Sequence, residues 1–350
     1  MSNLIEELEA REKNIRTAKL DISFGELANM FSEKDLIIQP SFQRLFRWDD
    51  YQKTRLIETI LVGLPMPSIF VVEQENGVWE LIDGLQRLST VFTFIGTCGD
   101  EKKWRLGEGD ILKEIKDLSF EELPPRAKRL IRRYMCRVEI ISYDSAYDVR
   151  YELFERLNTG GSPLSDQEIR NAIYRAESDE FNKFLTRNGK DNEEFINLIK
   201  ISENQRNNLY ADELVLRFCS LYESDIITKN LSNHLDSYMK TVVIETKSDN
   251  TKINDLEIIF KRTVNLLIKL NEPNIFWRER GGFSATLYDG IMIGLAKNIS
   301  FYEDNLELLR IKISELRDDE EFREMYSGSQ SHNAKNVMGR IDIAKKIFTP

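Results

Sequence analysis

Asp83, Gly84, Gln86 and Arg87 stand close together in V-W-E-L-I-D-G-L-Q-R-L-S-T-V-F-T-F-I, residues 78–95, and their types suit an anion site. A guanidinium forks onto phosphate oxygens. A carboxylate beside it can orient the guanidinium, hold a metal or a ribose, or act as a base. A glycine lets the backbone come close to a ligand. Which of these is available depends on the elements that carry the residues. Trp79 and Leu81 alternate with Val78 and Glu80, as in a strand, while from Leu85 the apolar residues fall at Leu85, Leu88, Phe92 and Ile95, which is helical spacing. The strand should therefore stop at Asp83, turn at Gly84, and pass into a helix whose first N–H groups lack intrahelical partners. Gln86 and Arg87 lie off the apolar stripe and are expected to face a ligand. A D-G pair at such a corner can equally serve the turn alone.

Two further stretches carry candidate chemistry. Residues 40–48, P-S-F-Q-R-L-F-R-W, interleave Phe42, Phe46 and Trp48 with Gln43, Arg44 and Arg47. Aromatics and arginines mixed in a loop can stack on a base and clamp phosphates. The same pattern arises when the aromatics are core and the arginines solvated. After Pro124-Pro125, a helix is expected with Arg126, Lys128, Arg129, Arg132 and Arg133 around an apolar side of Ala127, Leu130, Ile131 and Tyr134. Such a face can bind nucleic acid or be a solvated helix face.

Together with P-S-F-Q-R-L-F-R-W before it and F-E-R-L-N-T-G-G-S-P-L, residues 154–164, after it, the D-G-L-Q-R corner resembles the family whose signature is DGQQR. That family includes the N-terminal domains of GmrSD-type, modification-dependent restriction enzymes and related phage-defence proteins. Leu85 stands where the family has its first Gln, and it lies on the apolar stripe. The resemblance implies an α+β domain similar to the ParB/sulfiredoxin nucleotide-binding fold, with a small mixed sheet. It implies phosphate binding by Arg44, Gly84 and Arg87, with Asn158 and Thr159 closing the site. Asp83, Gln86 and Arg87 would then be catalytic, and Asp83 would hold Mg²⁺ with ATP, GTP or CTP. Hydrolysis would license a nuclease or toxin effector. In the other reading the same pocket is a non-catalytic sensor that docks a partner, with Arg126, Arg129, Arg132 and Arg133 touching DNA.

The elements that must position these residues can be read in order. Residues 3–18 look like an amphipathic helical lead-in. Ser23 and Glu26 have capping-box spacing and should open a helix through Phe31. A short strand is expected at 36–38, a helix over 51–62 behind Asp49 or Asp50, a strand over 68–73 and a turn at 75–77. Another strand follows over 136–142 and a helix over 146–157. Ser165 and Glu168 again suggest a capping box. From 178 onward the pattern is helical, notably over 212–222, 253–270, 284–297 and 305–316. The domains are therefore expected at 1–177 and 178–350. The segment 283–289, F-S-A-T-L-Y-D, resembles one common in free-standing family members, and core packing alone would also account for it.

Composition narrows the class. The 350 residues are 41% hydrophobic and 31% charged, with a net charge of -10. That describes a soluble globular protein that could touch DNA only through a local basic patch. No apolar run approaches the ~20 residues that span a bilayer. Three cysteines, Cys98, Cys136 and Cys219, point to a reducing cytoplasm rather than a disulfide framework. His234 and His332 are the only histidines and do not form an HNH arrangement, so a nuclease is expected in trans. Asp225, Asp236, Glu245 and Lys247 form only a chance-level acid-acid-lysine match. No Walker A loop is present, and the turn at 84–87 has no reactive Cys for sulfiredoxin chemistry.

Overall fold

An α+β unit, Met1–Pro163, precedes an all-helical unit, Leu164–Pro350, as the periodicities predict. The division falls after Pro163, whereas the sequence reading places it after residue 177. The computed structural model describes residues 16–38, 48–74, 76–97, 104–142, 165–174, 179–227, 230–278, 281–325 and 333–350.

The first unit runs β1 (Thr17–Ser23), α1 (Phe24–Glu33), β2 (Leu36–Ile37), α2 (Asp50–Val62), β3 (Ile69–Glu73), β4 (Trp79–Asp83), α3 (Leu85–Ile95), α4 (Pro125–Arg133) and β5 (Met135–Ile141). The strands form one mixed five-stranded sheet in the order β1-β5-β3-β4-β2. β1 is the element the sequence reading missed. Ala18, Leu20 and Ile22 alternate with Thr17, Lys19 and Asp21, a period of two that the charged lead-in obscured. Most of that lead-in, residues 1–15, lies outside the described residues, as does the expected helix at 146–157.

The start signals hold where they can be compared. The Ser23 side chain accepts from the Glu26 N–H at 3.2 Å and starts α1. Asp49 and Gln52 close a capping box at the head of α2. The core gathers Phe24, Leu27, Ile57, Ile69, Val71, Leu88, Val91, Phe92, Ile131 and Val138 between the sheet and these helices. The glycine-bearing segment after α3 is tied to α2 rather than loose. The buried Glu58 carboxylate accepts from the N–H groups of Asp110, Ile111 and Leu112 at 3.2, 2.7 and 2.6 Å. Its charge is thus met by backbone donors, which is what makes burying it tolerable.

The second unit contains α5 (Asp166–Tyr174), α6 (Asp179–Asn188), α7 (Glu193–Ile199), α8 (Tyr210–Glu223), α9 (Leu231–Glu245), α10 (Thr251–Leu270), α11 (Ala285–Lys297), α12 (Leu306–Asp318) and α13 (Ala334–Ile347), with shorter helical turns between. Ser165 and Glu168 form the expected reciprocal cap on α5, at 2.7 and 3.2 Å. Every residue from Thr286 to Ala296 of α11 is buried. A helix apolar almost all round belongs in the centre of a bundle, and α8, α10, α12 and α13 pack on it. The F-S-A-T-L-Y-D segment therefore serves core packing. Its Tyr288 hydroxyl donates to the Leu214 carbonyl at 2.9 Å.

A chain of charges threads this core. Asp289 accepts from Arg217 at 3.0 and 2.6 Å and from Arg340 at 2.9 Å, all three side chains being buried. Arg170 is also buried and reaches Asp236 at 2.6 Å, Glu213 at 3.2 Å and the Ser232 hydroxyl at 3.0 Å. Arg340, near the C-terminus, is spent here. Removing one member of such a set strands a buried charge, typically at about 3–5 kcal/mol.

Candidate nucleotide site at the β4–α3 corner

The corner forms as the sequence predicts. β4 ends at Asp83, Gly84 turns with φ 107°, and α3 begins at Leu85. Glycine is required there twice over. The φ lies in the left-handed region, and a Cβ would sit 3.0 Å from Ile69 Cγ1. A β-bulge sharpens the approach. Phe70 pairs with Asp83 but Val71 with Leu81, so Ile82 is an extra residue in β4. Glu80, Leu81 and Ile82 are all buried in this central strand, and the extra residue shifts the register just before Asp83 at the corner.

Arg87 is turned back onto the protein. Its Nη1 donates to the carbonyls of Pro67 and Ser68 at 2.7 and 2.8 Å, and its Nη2 pairs with Asp83 Oδ2. Only 12% of the Arg87 side chain is exposed, against 38% for Asp83. The guanidinium thus bolts the start of α3 to the segment entering β3. Sequence reasoning missed the two carbonyls because a carbonyl leaves no trace in residue type. The G-L-P-M-P run, which must leave α2 extended, is the one available hint.

Gln86 ties in a second segment. Its side-chain oxygen accepts from the Trp48 N–H at 3.3 Å, so the last residue of the aromatic-arginine stretch reaches this helix start. Gly84, the residue at the cap of α3, has no side chain to give, and its carbonyl is the first intrahelical acceptor, 2.9 Å from the Leu88 N–H. An uncapped helix start carries partial positive charge and favours anions. Beneath it, burial pushes the Cys136 thiol up to about 11, against the opposing pull of Arg87 and the Ile69 N–H. A buried thiol in that state is inert.

Arg44, Asn158 and Thr159 lie outside the described residues. Asp83, Gly84, Gln86 and Arg87 are together at one corner. Among the described residues no group of three or more His, Cys, Asp or Glu side chains could hold a metal. Asp83 is the carboxylate at the corner. Mg²⁺ carried mainly by phosphates and water needs only one or two carboxylates, and Asp83 has one oxygen already paired with Arg87.

Arg126, Arg129, Arg132 and Arg133 are all exposed on α4. Arg126, Arg129 and Arg133 share one face with the exposed Leu130, opposite the buried Ile131. No ion pair joins these three arginines to an acid among the described residues. Arg132 instead lies over the Phe120 ring at 5.5 Å, with Lys128 beside it at 5.8 Å. The acids of the acid-acid-lysine match are dispersed among other partners. Asp236 binds Arg170, Glu245 binds Lys252 at 2.8 Å, and Asp225 faces Lys345 at 3.6 Å. No described helix is long and apolar enough to cross a membrane.

No curated protein and no solved structure matches the chain. Residues 27–175, from within α1 through α5, match the model of the family described as the GmrSD restriction endonuclease, N-terminal domain. That region contains the β4–α3 corner and α4, and the match associates it with GmrSD-type restriction and phage-defence systems.

Proposed function

We propose that the chain is a nucleotide-binding regulatory component of a prokaryotic restriction-type defence system, acting through a separate nuclease or toxin effector. The observation that carries this reading is the uncapped start of α3 behind a glycine that brings the backbone close, with Asp83, Gln86 and Arg87 at the same corner. Phosphates of ATP, GTP or CTP would take the first-turn N–H groups of α3, with Arg44, Asn158 and Thr159 completing the site as the DGQQR resemblance implies. In this reading Asp83 has a positioning role toward Arg87 and offers its remaining oxygen to Mg²⁺. Hydrolysis, if the site turns over, falls to Gln86 as the group that orients water. The ParB/sulfiredoxin likeness belongs to the same proposal.

The test is nucleotide binding and phosphate release with Mg²⁺ for the native chain and Gln86→Glu. The substitution retains the acceptor for Trp48 N–H and suits a helix start, where a negative side chain is stabilising. It also sets a negative charge against the phosphates. Binding that disappears in Gln86→Glu at unchanged melting temperature supports the site. Phosphate release by the native chain makes it an NTPase, and binding without release makes it a sensor. Failure of ATP, GTP and CTP all to bind rejects the proposal.

A second reading rests on α4. Three arginines on one face without acidic partners among the described residues suit a DNA backbone, even in a chain of net charge -10. DNA would then be sensed by the same unit that binds nucleotide.

A further inference from the structure

β1 lies at one edge of the sheet, paired only with β5 among the described residues. Its backbone parity is set by two flanking bonds. Ser142 N–H donates to the Arg16 carbonyl at 3.0 Å, and Phe24 N–H to the Tyr134 carbonyl at 3.2 Å. In an antiparallel ladder every second residue then turns its backbone groups toward the partner strand. Ala18, Leu20 and Ile22 face β5 in this way, which leaves the N–H and C=O of Thr17, Lys19 and Asp21 and the N–H of Ser23 aimed at an edge that no other described strand covers; the Ser23 carbonyl belongs to the first turn of α1.

An open edge is a template for another strand, and proteins commonly block it with a lone lysine. Here the lysine is matched. In T-A-K-L-D-I-S, a two-fold axis at Leu20 sets Lys19 opposite Asp21, Ala18 opposite Ile22 and Thr17 opposite Ser23 of a second strand. The parity agrees with this register. Lys19 and Asp21 would form hydrogen-bonded pairs, and Leu20 would meet its own copy in a non-hydrogen-bonded pair, where side chains come closest.

The charges already present extend the match. Lys19 pairs with Glu139 at 3.2 Å, and Asp21 with Arg137 at 3.0 Å. Across the axis the row would read Glu139, Lys19, then the second copy's Asp21 and Arg137, alternating in sign throughout. On the other face, Leu20 is 47% exposed although it stands beside Val138, which is buried. A second Leu20 would cover it.

We infer that this protein self-associates by antiparallel pairing of β1 with β1 of a second copy about a two-fold axis at Leu20. The pairing joins two five-stranded sheets through about six backbone hydrogen bonds, two in each Lys19–Asp21 pair and one, from the Ser23 N–H to the Thr17 carbonyl, in each outer pair. It is isologous, so it closes as a dimer rather than growing into a fibre.

Sedimentation of the full chain across the micromolar range tests the inference. The native chain is expected to show a monomer–dimer equilibrium. Lys19→Glu and Asp21→Lys each place like charges opposite one another at both symmetric positions, and each should weaken the dimer by about tenfold or more. Mixing the two variants restores opposite charges at both positions, so a heterodimer should return. Lys19→Pro removes an outward N–H without touching the β5 ladder and should also dissociate the dimer, with circular dichroism unchanged. A native chain that stays monomeric overturns the inference and leaves the edge to a strand from a different protein. A dimer that neither charge variant weakens, or variants that do not recover on mixing, overturn it as well.

Discussion

At the residue scale, Arg87 shows that residue type and residue use are different things. An arginine one turn into a helix behind D-G invites a phosphate, yet its donors to Pro67, Ser68 and Asp83 bind the protein to itself. Arg87→Ala should therefore lower the unfolding free energy by about 2 kcal/mol, since it strands two carbonyls and a carboxylate. Arg87→Lys should recover only part of that loss, because an ammonium cannot fork across three acceptors. Denaturant titration with an unchanged slope checks both. Equal stability of all three proteins would show that the guanidinium is not structural. Lost nucleotide binding in Arg87→Ala is thus ambiguous by itself, which is why Gln86→Glu is the better probe of the site.

At the element scale, α3 and α4 are contrasting helices. α3 is apolar on one side, buries Leu88, Val91 and Phe92, and starts at the buried Gly84 with Leu85, Gln86 and Arg87 half-buried. α4 buries Ile131 and displays arginines at i, i+3 and i+7. Those positions lie along ~10 Å of helix axis, about three phosphate steps of one DNA strand. Replacing Arg126, Arg129 and Arg133 together by Gln should weaken DNA binding uniformly across sequences. It should also flatten the log–log salt dependence by about 0.9 for each phosphate that is no longer neutralised. Stability should change little, because these side chains are exposed. An unchanged salt slope would assign any DNA binding to another surface.

At the scale of the whole molecule, two carboxylates of the helical unit make opposite contributions to acid stability. Burial pushes Glu257 up, but hydrogen bonds from Arg187, Lys261 and Asn188 outweigh it and hold the carboxyl at about 2, below its ordinary 4.5. That stabilisation is complete above pH 4.5 and is lost as pH falls through about 2. Burial drives Asp212 the other way, to about 6 from 3.8, despite hydrogen bonds from the Lys190 N–H and the Thr186 hydroxyl. Its contribution is complete below pH 3.8 and is lost as pH rises through about 6. The stability gap between native chain and Glu257→Gln should therefore shrink from pH 4.5 down to about 2. Asp212→Asn should flatten the profile between pH 3.8 and about 6. Thermal melts across that range decide both, and parallel curves for native chain and variant would refute the corresponding assignment.

Periodicity and punctuation by themselves determined the mixed α/β first half, the helical second half, the caps at Ser23 and Ser165, a cap at Asp49 or Asp50, and the Asp83–Gly84 corner. These are local properties. A period of two or 3.6 and a side chain reaching three residues along the chain need no distant partner. The order β1-β5-β3-β4-β2, the bulge at Ile82, the division after Pro163 and the buried Arg217–Asp289–Arg340 set came only with the tertiary structure. So did the partners of Arg87, which are carbonyls twenty and nineteen residues away. β1 was legible as an alternation but lost among charges. What marks it as a strand is the sheet edge it occupies, and an edge exists only once the other four strands are in place. Charge and spacing state what a side chain is able to bind, and long-range packing decides which of those partners it meets.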